Sequence, residues 1–358
     1  MKKVILSAVV MGAFLLSCEN DSFNSESPVV EAQEVQVDMS DFSLYVDQDD
    51  LSGKSSSAFE KCLSMKNLEY RLAKNPGLAK KMYDIEYNTR IAIALKANGK
   101  GKPGSGGGGG GGGGTTPTIY EGPITIPVVV NIIEQFSGQV TQSQITSQIR
   151  ILNEDFQNNN SNTSNVPNEF SGLVANVDAT FVLGTVNRVV NSKASWGTKD
   201  AMKSTSQGGI APTDPANNLN LWVCEIGGGI LGYAQFPGGS AATDGVVIGT
   251  DFFGETAAGG IYGKGRTATH EVGHWLNLRH IWGDGRCNMD DFVADTPTSD
   301  APNFNCPAYP TVNCRSTDMT MNYMDYVQDD CMYMFTAGQN DRMRALFVAG
   351  GPKEGFVN

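Results

Sequence analysis

All three histidines of the chain lie in one short segment, THEVGHWLNLRH, residues 269–280. His270 and His274 are four residues apart, so on a helix their imidazole rings share one face and can bind one ion. Glu271 follows the first of them and can face a water molecule held beside them. Three neutral nitrogens and one open position are typical of catalytic rather than structural Zn²⁺. With His280 as the third nitrogen ligand, the segment predicts a hydrolytic zinc site.

The third histidine requires a change of chain direction. His280 lies six residues beyond His274, where a continuing helix would carry its side chain out of reach of the metal. The chain must therefore turn sharply between the two residues. Asn277 lies in this interval, and asparagine is the residue other than glycine that best tolerates the positive φ of such a turn.

A second motif, NYMDY, follows at residues 322–326, with Met324 placed 44 residues after His280. The two motifs together resemble the metzincin signature of zinc endopeptidases, HExxHxxGxxH followed by a Met-turn, with Asn277 at the glycine position. The resemblance implies that Met324 lies beneath the zinc as an apolar floor. It also implies that Tyr326 stabilises the oxyanion formed when a peptide bond is attacked.

Within the metzincins, the segments HEVGHWLNLRHIWGD and NYMDY and the nearby cysteines resemble the pappalysin family, in its bacterial cytophagalysin or ulilysin-like branch. The resemblance covers most of 120–350. It implies an α+β fold, with a mixed sheet and the zinc-site helix in an upper subdomain and an irregular, disulfide-stapled lower subdomain. The implied activity is zinc-dependent hydrolysis of peptide bonds in extracellular proteins.

Four cysteines near the C-terminus allow three pairings from the sequence alone. The resemblance implies the pairs Cys287–Cys314 and Cys306–Cys331. Cys224 lies within a predicted strand and is left over, so we expect it to be a buried free thiol.

The resemblance also implies structural Ca²⁺ in the loop after the zinc helix. Asp291 and Thr296 match the ligand positions, and clustered hard oxygen atoms suit this ion. A solvated acidic turn is the alternative. Asp330 matches the family position that makes the pocket beyond the scissile bond acidic, which implies a preference for Arg or Lys on the prime side. The neighbouring Asp329 could fill this role equally, and a plain surface carboxylate is the other alternative.

Cys62 stands before the predicted catalytic domain, at the head of a short helical patch. Latent metzincins commonly use a pro-segment cysteine whose thiolate occupies the open zinc position, and a thiolate is a good zinc ligand. The region around Cys62 resembles cytophagalysin pro-segments. It therefore predicts a latency switch and a pro-segment that inhibits its own enzyme, the alternative being an incidental thiol.

The N-terminus predicts export. Two lysines precede a 13-residue apolar stretch, Val4–Leu16, which is too short to span a bilayer comfortably. The sequence Leu-Leu-Ser-Cys that ends at Cys18 resembles a bacterial lipobox, so Cys18 is expected to carry lipid; an ordinary signal peptide is the alternative. The expected location is the bacterial cell envelope or surface, with the catalytic domain released once the pro-segment is cut away.

Composition divides the chain into four parts. Residues 1–17 are predicted to be the signal peptide, 18–103 a Ser- and acid-rich stalk with a helical pro-segment, and 119–358 the catalytic domain. Between them, 104–118 holds nine consecutive glycines and is predicted to be a flexible linker.

Hydrophobic periodicity predicts the elements that must position these side chains. Two short amphipathic helices are expected around Met65–Leu72 and Leu78–Leu95, and three more in the catalytic domain. The latter are Gln142–Phe156, Lys264–Leu278 and Thr336–Phe347. The strands are predicted at Ile124–Ile133, Val177–Val190, Leu219–Glu225, Leu231–Phe236 and Val246–Thr250.

The net charge of −12, without a long basic run, argues against nucleic acid as a partner and against polybasic attachment to lipid. Protein or peptide substrates are the expected partners. A surface lipoprotein that binds or adheres through a non-catalytic zinc site is the competing hypothesis, and a zinc amidase is a third. Glu271 favours the peptidase, because a purely structural zinc site needs no carboxylate beside its first ligand.

Overall fold

The computed structural model describes residues 35–44, 62–99 and 118–357. The signal peptide, the lipidation candidate Cys18, most of the stalk and the glycine tract Gly106–Gly114 lie outside the described residues. No helix in the described ranges combines the length and the apolar character needed to cross a bilayer.

A five-stranded mixed sheet forms the framework of the catalytic domain. Its strands, in the order β2-β1-β3-β5-β4, are all parallel to their neighbours except β4, which pairs antiparallel with β5 and forms one edge. The strand bounds are β1 Ile124–Glu134, β2 Ala179–Val190, β3 Leu219–Cys224, β4 Gly232–Ala234 and β5 Val246–Gly249. The sequence predicted all five, with β4 shorter than expected. The α+β fold is confirmed.

Burial explains the strand pattern. The β-branched run of β1 lies between two strands and is buried along almost its whole length, as is typical of parallel sheets covered on both faces. One face carries the main core, and the other carries a smaller cluster that includes Trp222 and Tyr233. Cys224 lies in that smaller cluster as a buried free thiol, as predicted.

Three helices complete the domain: α3 Gln142–Phe156, α4 Arg266–Trp275 and α5 Ala337–Arg344. Helices α3 and α5 each begin with a capping box, from Thr141 and Thr336 respectively. All ten residues of α4 are buried. This helix is shorter than predicted because Gly265 before it and Asn277 after it both have positive φ, which a helix cannot contain.

The region between α4 and α5 is irregular apart from a small hairpin, Val312–Asn313 (β6) with Ser316–Thr317 (β7). Two disulfides hold it together, Cys287–Cys314 and Cys306–Cys331. This is the pairing that the family resemblance implies. Because this region has few backbone hydrogen bonds of regular secondary structure, the two covalent links help to hold its segments together.

The pro-segment forms the two predicted helices, α1 Ser64–Lys74 and α2 Leu78–Ala97, separated by Asn75-Pro76-Gly77. A buried ion pair joins α2 to α5: Arg342 Nη1 donates to Glu86 Oε1 over 3.0 Å, and Arg342 Nη2 binds the second carboxylate oxygen. Arg90 Nε also donates to Glu86, over 2.8 Å. The pro-segment is therefore attached to the catalytic domain through charge as well as apolar contact.

Part of the predicted stalk packs against the rest of the protein. Residues 35–44 form neither helix nor strand, yet the Phe42 ring packs against Tyr83 and Phe292, with centroids 5.8 Å apart in both pairs. Arg90 donates to the Asp38 carbonyl and pairs with Asp41. The few apolar and acidic residues of this stretch thus find partners on α2 and on the loop after α4, which composition alone did not indicate.

We expect Glu86→Ala to destabilise the full chain by about 3–5 kcal/mol, because it leaves the Arg342 guanidinium buried without its carboxylate. Burial opposes ionisation of Glu86, but the charges of Arg342 and Arg90 lower its pKa from 4.5 to about 2. The contribution of ionised Glu86 to the free energy of unfolding is therefore complete above pH 4.5 and is lost as the pH falls towards 2. Urea unfolding at several pH values measures both effects.

The matched control is Asp84→Ala on the same helix, which removes an exposed i,i+4 pair with Lys80. Such a pair contributes about 0.5 kcal/mol or less. Equal stability of the Glu86 and Asp84 variants would contradict the role given to the buried pair.

Candidate metal centre

Helix α4 presents His270 and His274 on one face, as their spacing predicts. Gly273 lies against the Met-turn: a Cβ added there would stand 2.5 Å from Met324 Sδ. Only glycine therefore allows Met324, which is fully buried, to pack directly beneath the helix. Met324 thus lies against the helix that carries His270 and His274, where the sequence predicts an apolar floor.

The chain turns at Asn277, whose φ is +72°. Leu278 N donates to the Gly273 carbonyl over 2.9 Å, which closes the helix end in the manner of a Schellman motif. Arg342 Nε donates to the Asn277 carbonyl over 2.8 Å and holds the turn from below. As a result His280 returns to the helix, and its Nε2 lies 3.1 Å from His274 Nε2.

Each imidazole is oriented by an acceptor at Nδ1. His270 Nδ1 lies 2.7 Å from the Tyr323 carbonyl, and His274 Nδ1 lies 2.8 Å from the Leu278 carbonyl. His280 Nδ1 contacts the Asp284 carboxylate. Because all three Nδ1 atoms face acceptors, each ring places its proton there and turns an Nε2 lone pair inward, which is the arrangement that precedes metal binding.

The three histidines and Cys62 form one buried group whose potential ligand atoms all lie within 4.8 Å of one another. His270 Nε2 has no hydrogen-bond partner among the described residues. Burial lowers the pKa of His270 to about 3, and it also lowers that of His274 well below its usual value, so both rings are neutral. Inward lone pairs on neutral, buried imidazoles repel one another unless a cation lies between them. The donor set therefore fits Zn²⁺.

Glu271 lies beside this group on α4. Its Oε2 accepts hydrogen bonds from Ser64 Oγ at 2.8 Å and from Cys62 Sγ at 3.4 Å, whereas Oε1 has no partner among the described residues. Burial raises the pKa of Glu271 to about 8, and these two donors oppose the rise. Gly232 of β4 allows the approach, because a Cβ there would lie 3.0 Å from Glu271 Cγ.

Tyr326 closes the other side of the group. Its ring centroid lies 5.0 Å from that of His280 and 5.7 Å from that of His270. Its hydroxyl donates to the Cys62 carbonyl over 3.1 Å. A phenol at this place can donate to an oxygen atom held beside the three imidazoles once Cys62 has left.

A pocket opens next to Glu271 and is lined by Tyr326, Asp329 and Arg266 among others. Asp329 is buried, and its Oδ2 accepts from the backbone N–H groups of Lys264 at 2.8 Å and Arg266 at 3.3 Å. The structure does not place Asp330 in this pocket.

Asp330 is instead more than half exposed and pairs with the ammonium of Lys264 at the surface. The two neighbouring carboxylates, both in the 3-10 turn of residues 329–331, have different partners: Asp329 accepts from backbone N–H groups, and Asp330 pairs with the Lys264 ammonium. Of the two carboxylates that the sequence allowed for this role, Asp329 rather than Asp330 lines the pocket.

The calcium candidates Asp291 and Thr296 do lie together. Thr296 Oγ1 is 2.8 Å from Asp291 Oδ1 and 2.9 Å from Oδ2, and Val293 N donates to Oδ1 over 3.1 Å. Asp291 is buried, and burial raises the pKa of its carboxyl group well above the usual value. A buried carboxylate with a hydroxyl and a backbone turn beside it offers oxygen ligands of the kind that Ca²⁺ prefers.

Two residues of the site were missed at the sequence level. Asp284 follows His280 by four residues, and a carboxylate so near a ligand histidine is a signal that could have been used. Ser64 carries no such signal, since its contact with Glu271 joins residues 207 positions apart.

We expect Asn277→Gly to keep full zinc affinity and Asn277→Val to lose it by about 10-fold or more. A glycine adopts positive φ without cost, whereas a β-branched residue does not, and His280 then fails to reach the metal. Titration of the metal-free full chain with zinc gives the affinities. Equal affinity of the two variants would contradict the requirement for a left-handed turn.

The family model for pregnancy-associated plasma protein-A (peptidase family M43) matches residues 229–348, which include every histidine. Among curated proteins, an extracellular metalloprotease of the fungus Coccidioides posadasii is 34% identical over 218 residues, or 59% of this chain and 70% of that protein. An extracellular metalloprotease of Pyricularia oryzae is likewise 34% identical, over 59% of this chain and 69% of its own.

Among solved structures, mature mirolysin of Tannerella forsythia in complex with a cleaved peptide is 41% identical, with a TM-score of 0.64 over 66% of this chain and 96% of its own. A promirolysin mutant from the same organism is 34% identical, with a TM-score of 0.69 over 83% of this chain and 97% of its own. The match to the promirolysin mutant thus extends over more of this chain than the match to mature mirolysin does. These relatives favour the peptidase over the adhesion module, and the chain belongs to the pappalysin family of zinc metalloendopeptidases.

Proposed function

We propose that this chain is a latent, exported zinc endopeptidase in which His270, His274 and His280 bind the metal and Glu271 is the general base. The observation that carries the proposal is the convergence of three buried imidazole nitrogens beside a carboxylate oxygen without a hydrogen-bond partner among the described residues. Export is supported by the extracellular metalloproteases to which the chain is similar.

The chemistry that zinc supplies when bound is Lewis acidity towards a water molecule and a peptide carbonyl. Glu271 takes the proton from the attacking water molecule through Oε1 and later delivers it to the leaving amine. Tyr326 turns its hydroxyl from the Cys62 carbonyl to the oxyanion and donates a hydrogen bond to it. Met324 keeps the base of the site apolar and packs against α4 at Gly273.

The pocket beside Glu271 is proposed to bind Arg or Lys on the prime side of the scissile bond. Its lining includes one guanidinium, Arg266, and three carboxyl groups, Glu271, Asp325 and Asp329, so carboxyl groups are in excess. Asp329 is proposed to bind the substrate cation, because its carboxylate lines the pocket and accepts hydrogen bonds from the backbone N–H groups of Lys264 and Arg266.

Latency is proposed to rest on Cys62 and Ser64 together. Cys62 stands among the three histidines, where its sulfur can occupy the fourth zinc position, and Tyr326 binds its carbonyl. Ser64 Oγ donates to Glu271 and accepts from Ala234 N at 2.8 Å. The pro-segment therefore excludes water from the metal and engages the general base at the same time. The promirolysin structure supports inhibition by a pro-segment.

Two further assignments complete the proposal. Ca²⁺ is proposed to bind Asp291 and Thr296, where it would neutralise a buried carboxylate and hold the loop that follows His280. The chain is also proposed to be tethered to the cell envelope by lipid on Cys18. This proposal rests on the lipobox-like sequence that ends at Cys18.

Replacement of Glu271 by Ala should leave zinc bound and reduce peptide cleavage by about 10⁴-fold or more, since the proton transfers lose their carrier. The test is a peptide-library cleavage profile of the processed enzyme and its Glu271→Ala form, with zinc content measured for both. Cleavage by the unmodified enzyme should favour Arg or Lys directly after the scissile bond. Appreciable turnover by the Glu271→Ala form would contradict the role of Glu271 as general base.

Cys62→Ala should raise the activity of the uncleaved precursor by about 10-fold or more, because the metal gains access to water. Ser64→Ala should raise it by a smaller factor, since one hydrogen bond to Glu271 is lost. Residual activity is measured before and after removal of the pro-segment. After removal, all forms should be equally active, because both residues leave with the pro-segment.

The control for the latency variants is Glu69→Ala, an exposed position on α1, the helix that begins at Ser64. A Cys62→Ala precursor that stays as inactive as the unmodified chain would show that the thiol does not maintain latency.

A further inference from the structure

Helix α1 of the pro-segment inserts a guanidinium into the catalytic domain. Arg71 is 5% exposed, and its side chain meets three acceptors outside the pro-segment. Nη2 donates to Asp200 Oδ2 over 2.7 Å, and Nη1 donates to Thr243 Oγ1 over 2.6 Å and to the Gln235 side-chain oxygen. The geometry matches the fork of an arginine side chain.

The catalytic domain holds these acceptors in place by its own contacts. Asp200 Oδ1 binds Lys203 Nζ at 3.0 Å, and that ammonium also donates to the Thr243 carbonyl over 2.8 Å. Thr243 Oγ1 donates to Gln235 Oε1 over 2.7 Å. Although burial opposes it, Lys203 and Arg71 lower the pKa of Asp200, so the carboxylate is charged. We call Asp200, Gln235 and Thr243 the guanidinium receptor.

The receptor lies along the path of an extended peptide. The pro-segment follows edge strand β4: Leu63 N donates to the Gly232 carbonyl over 3.2 Å, and Ala234 N donates to Ser64 Oγ. An exposed edge strand is where a peptide substrate can add as a further strand. Gln235 directly follows β4, so the receptor stands at the C-terminal end of that strand.

The Asp329 pocket stands at the opposite end of β4, because Leu231, which precedes the strand, lines it. Glu271 lies between the two sites, against Gly232. Gln235 lies three positions after Gly232, which corresponds to about 10 Å along an extended chain. A peptide laid along β4 would therefore pass the general base with one acidic site on either side.

We propose that the guanidinium receptor is a second specificity subsite, which binds an Arg or Lys side chain of the substrate on the non-prime side. It would take a residue about two to four positions from the scissile bond. Arg71 occupies the subsite in the precursor as a mimic of that side chain. The inference rests on the proposed function, since the subsite opens only when the pro-segment leaves. Departure of Arg71 removes a charged donor from Asp200 Oδ2, Gln235 Oε1 and Thr243 Oγ1, and a basic side chain of the substrate would take its place.

The test uses the processed enzyme, obtained from the full chain by limited proteolysis in the linker, and pairs of peptides. Both peptides of a pair carry Arg after the scissile bond and differ only at one position before it, which holds Arg or its neutral isostere citrulline. The second, third and fourth positions before the bond are examined in turn. We expect kcat/KM to favour Arg by about 10-fold or more at one of them, chiefly through KM.

Asp200→Asn should remove this preference, but Asp200 also binds Lys203, so a second variant is needed. Thr243→Lys places an ammonium in the receptor and leaves that buried pair intact; the Arg-to-citrulline ratio should fall to about one. Ser206→Lys, an exposed position with the same change in charge, should keep the ratio of the unmodified enzyme.

Equal cleavage of the Arg and citrulline peptides at all three positions would overturn the subsite and leave the proposed function standing. A preference that survives Thr243→Lys would also overturn it. Failure to cleave either peptide, with zinc bound, would instead contradict the proposed function.

Discussion

The structure depends on one geometric constraint: three imidazole nitrogens must meet at one place, although a helix can supply only two of them. The left-handed turn at Asn277 resolves this, and it is held in turn by Arg342, whose guanidinium donates to the Asn277 carbonyl. The same guanidinium carries the ion pair to Glu86 of the pro-segment. The shape of the zinc site and the attachment of the pro-segment thus share one buried cation.

Burial of so many polar groups is tolerated because nearly every one has a partner. Each imidazole Nδ1 faces an oxygen atom, and the Glu271 carboxylate faces Ser64. Polar atoms left unpaired at low dielectric are costly, and two of those without a partner among the described residues, His270 Nε2 and Glu271 Oε1, lie where a metal and a substrate are expected. Cys62 and Ser64 both donate to Glu271, and in our proposal these contacts allow a short segment to hold the active centre closed.

Strand β4 connects latency and specificity in our proposals. It is the antiparallel edge of the sheet, and the pro-segment already lies along it with Leu63 and Ser64 bonded to its backbone. A carboxylate stands near each end, Asp329 at one and Asp200 at the other. A substrate that displaces the pro-segment would follow the same strand, so the contacts that hold the precursor inactive also outline what the processed enzyme would accept.

Local patterns in the sequence were sufficient to predict the convergence of the histidines, the carboxylate beside them, the turn at Asn277 and all five strands, because helical spacing, φ preference and β-branched runs act over a few residues. The family resemblance supplied the disulfide pairing. Only the tertiary structure decided that Asp329 rather than Asp330 enters the pocket, that Ser64 binds Glu271, and that Arg71 reaches Asp200. These contacts join segments 60 to 210 positions apart or distinguish adjacent residues on one turn, and such choices depend on packing that no local pattern encodes.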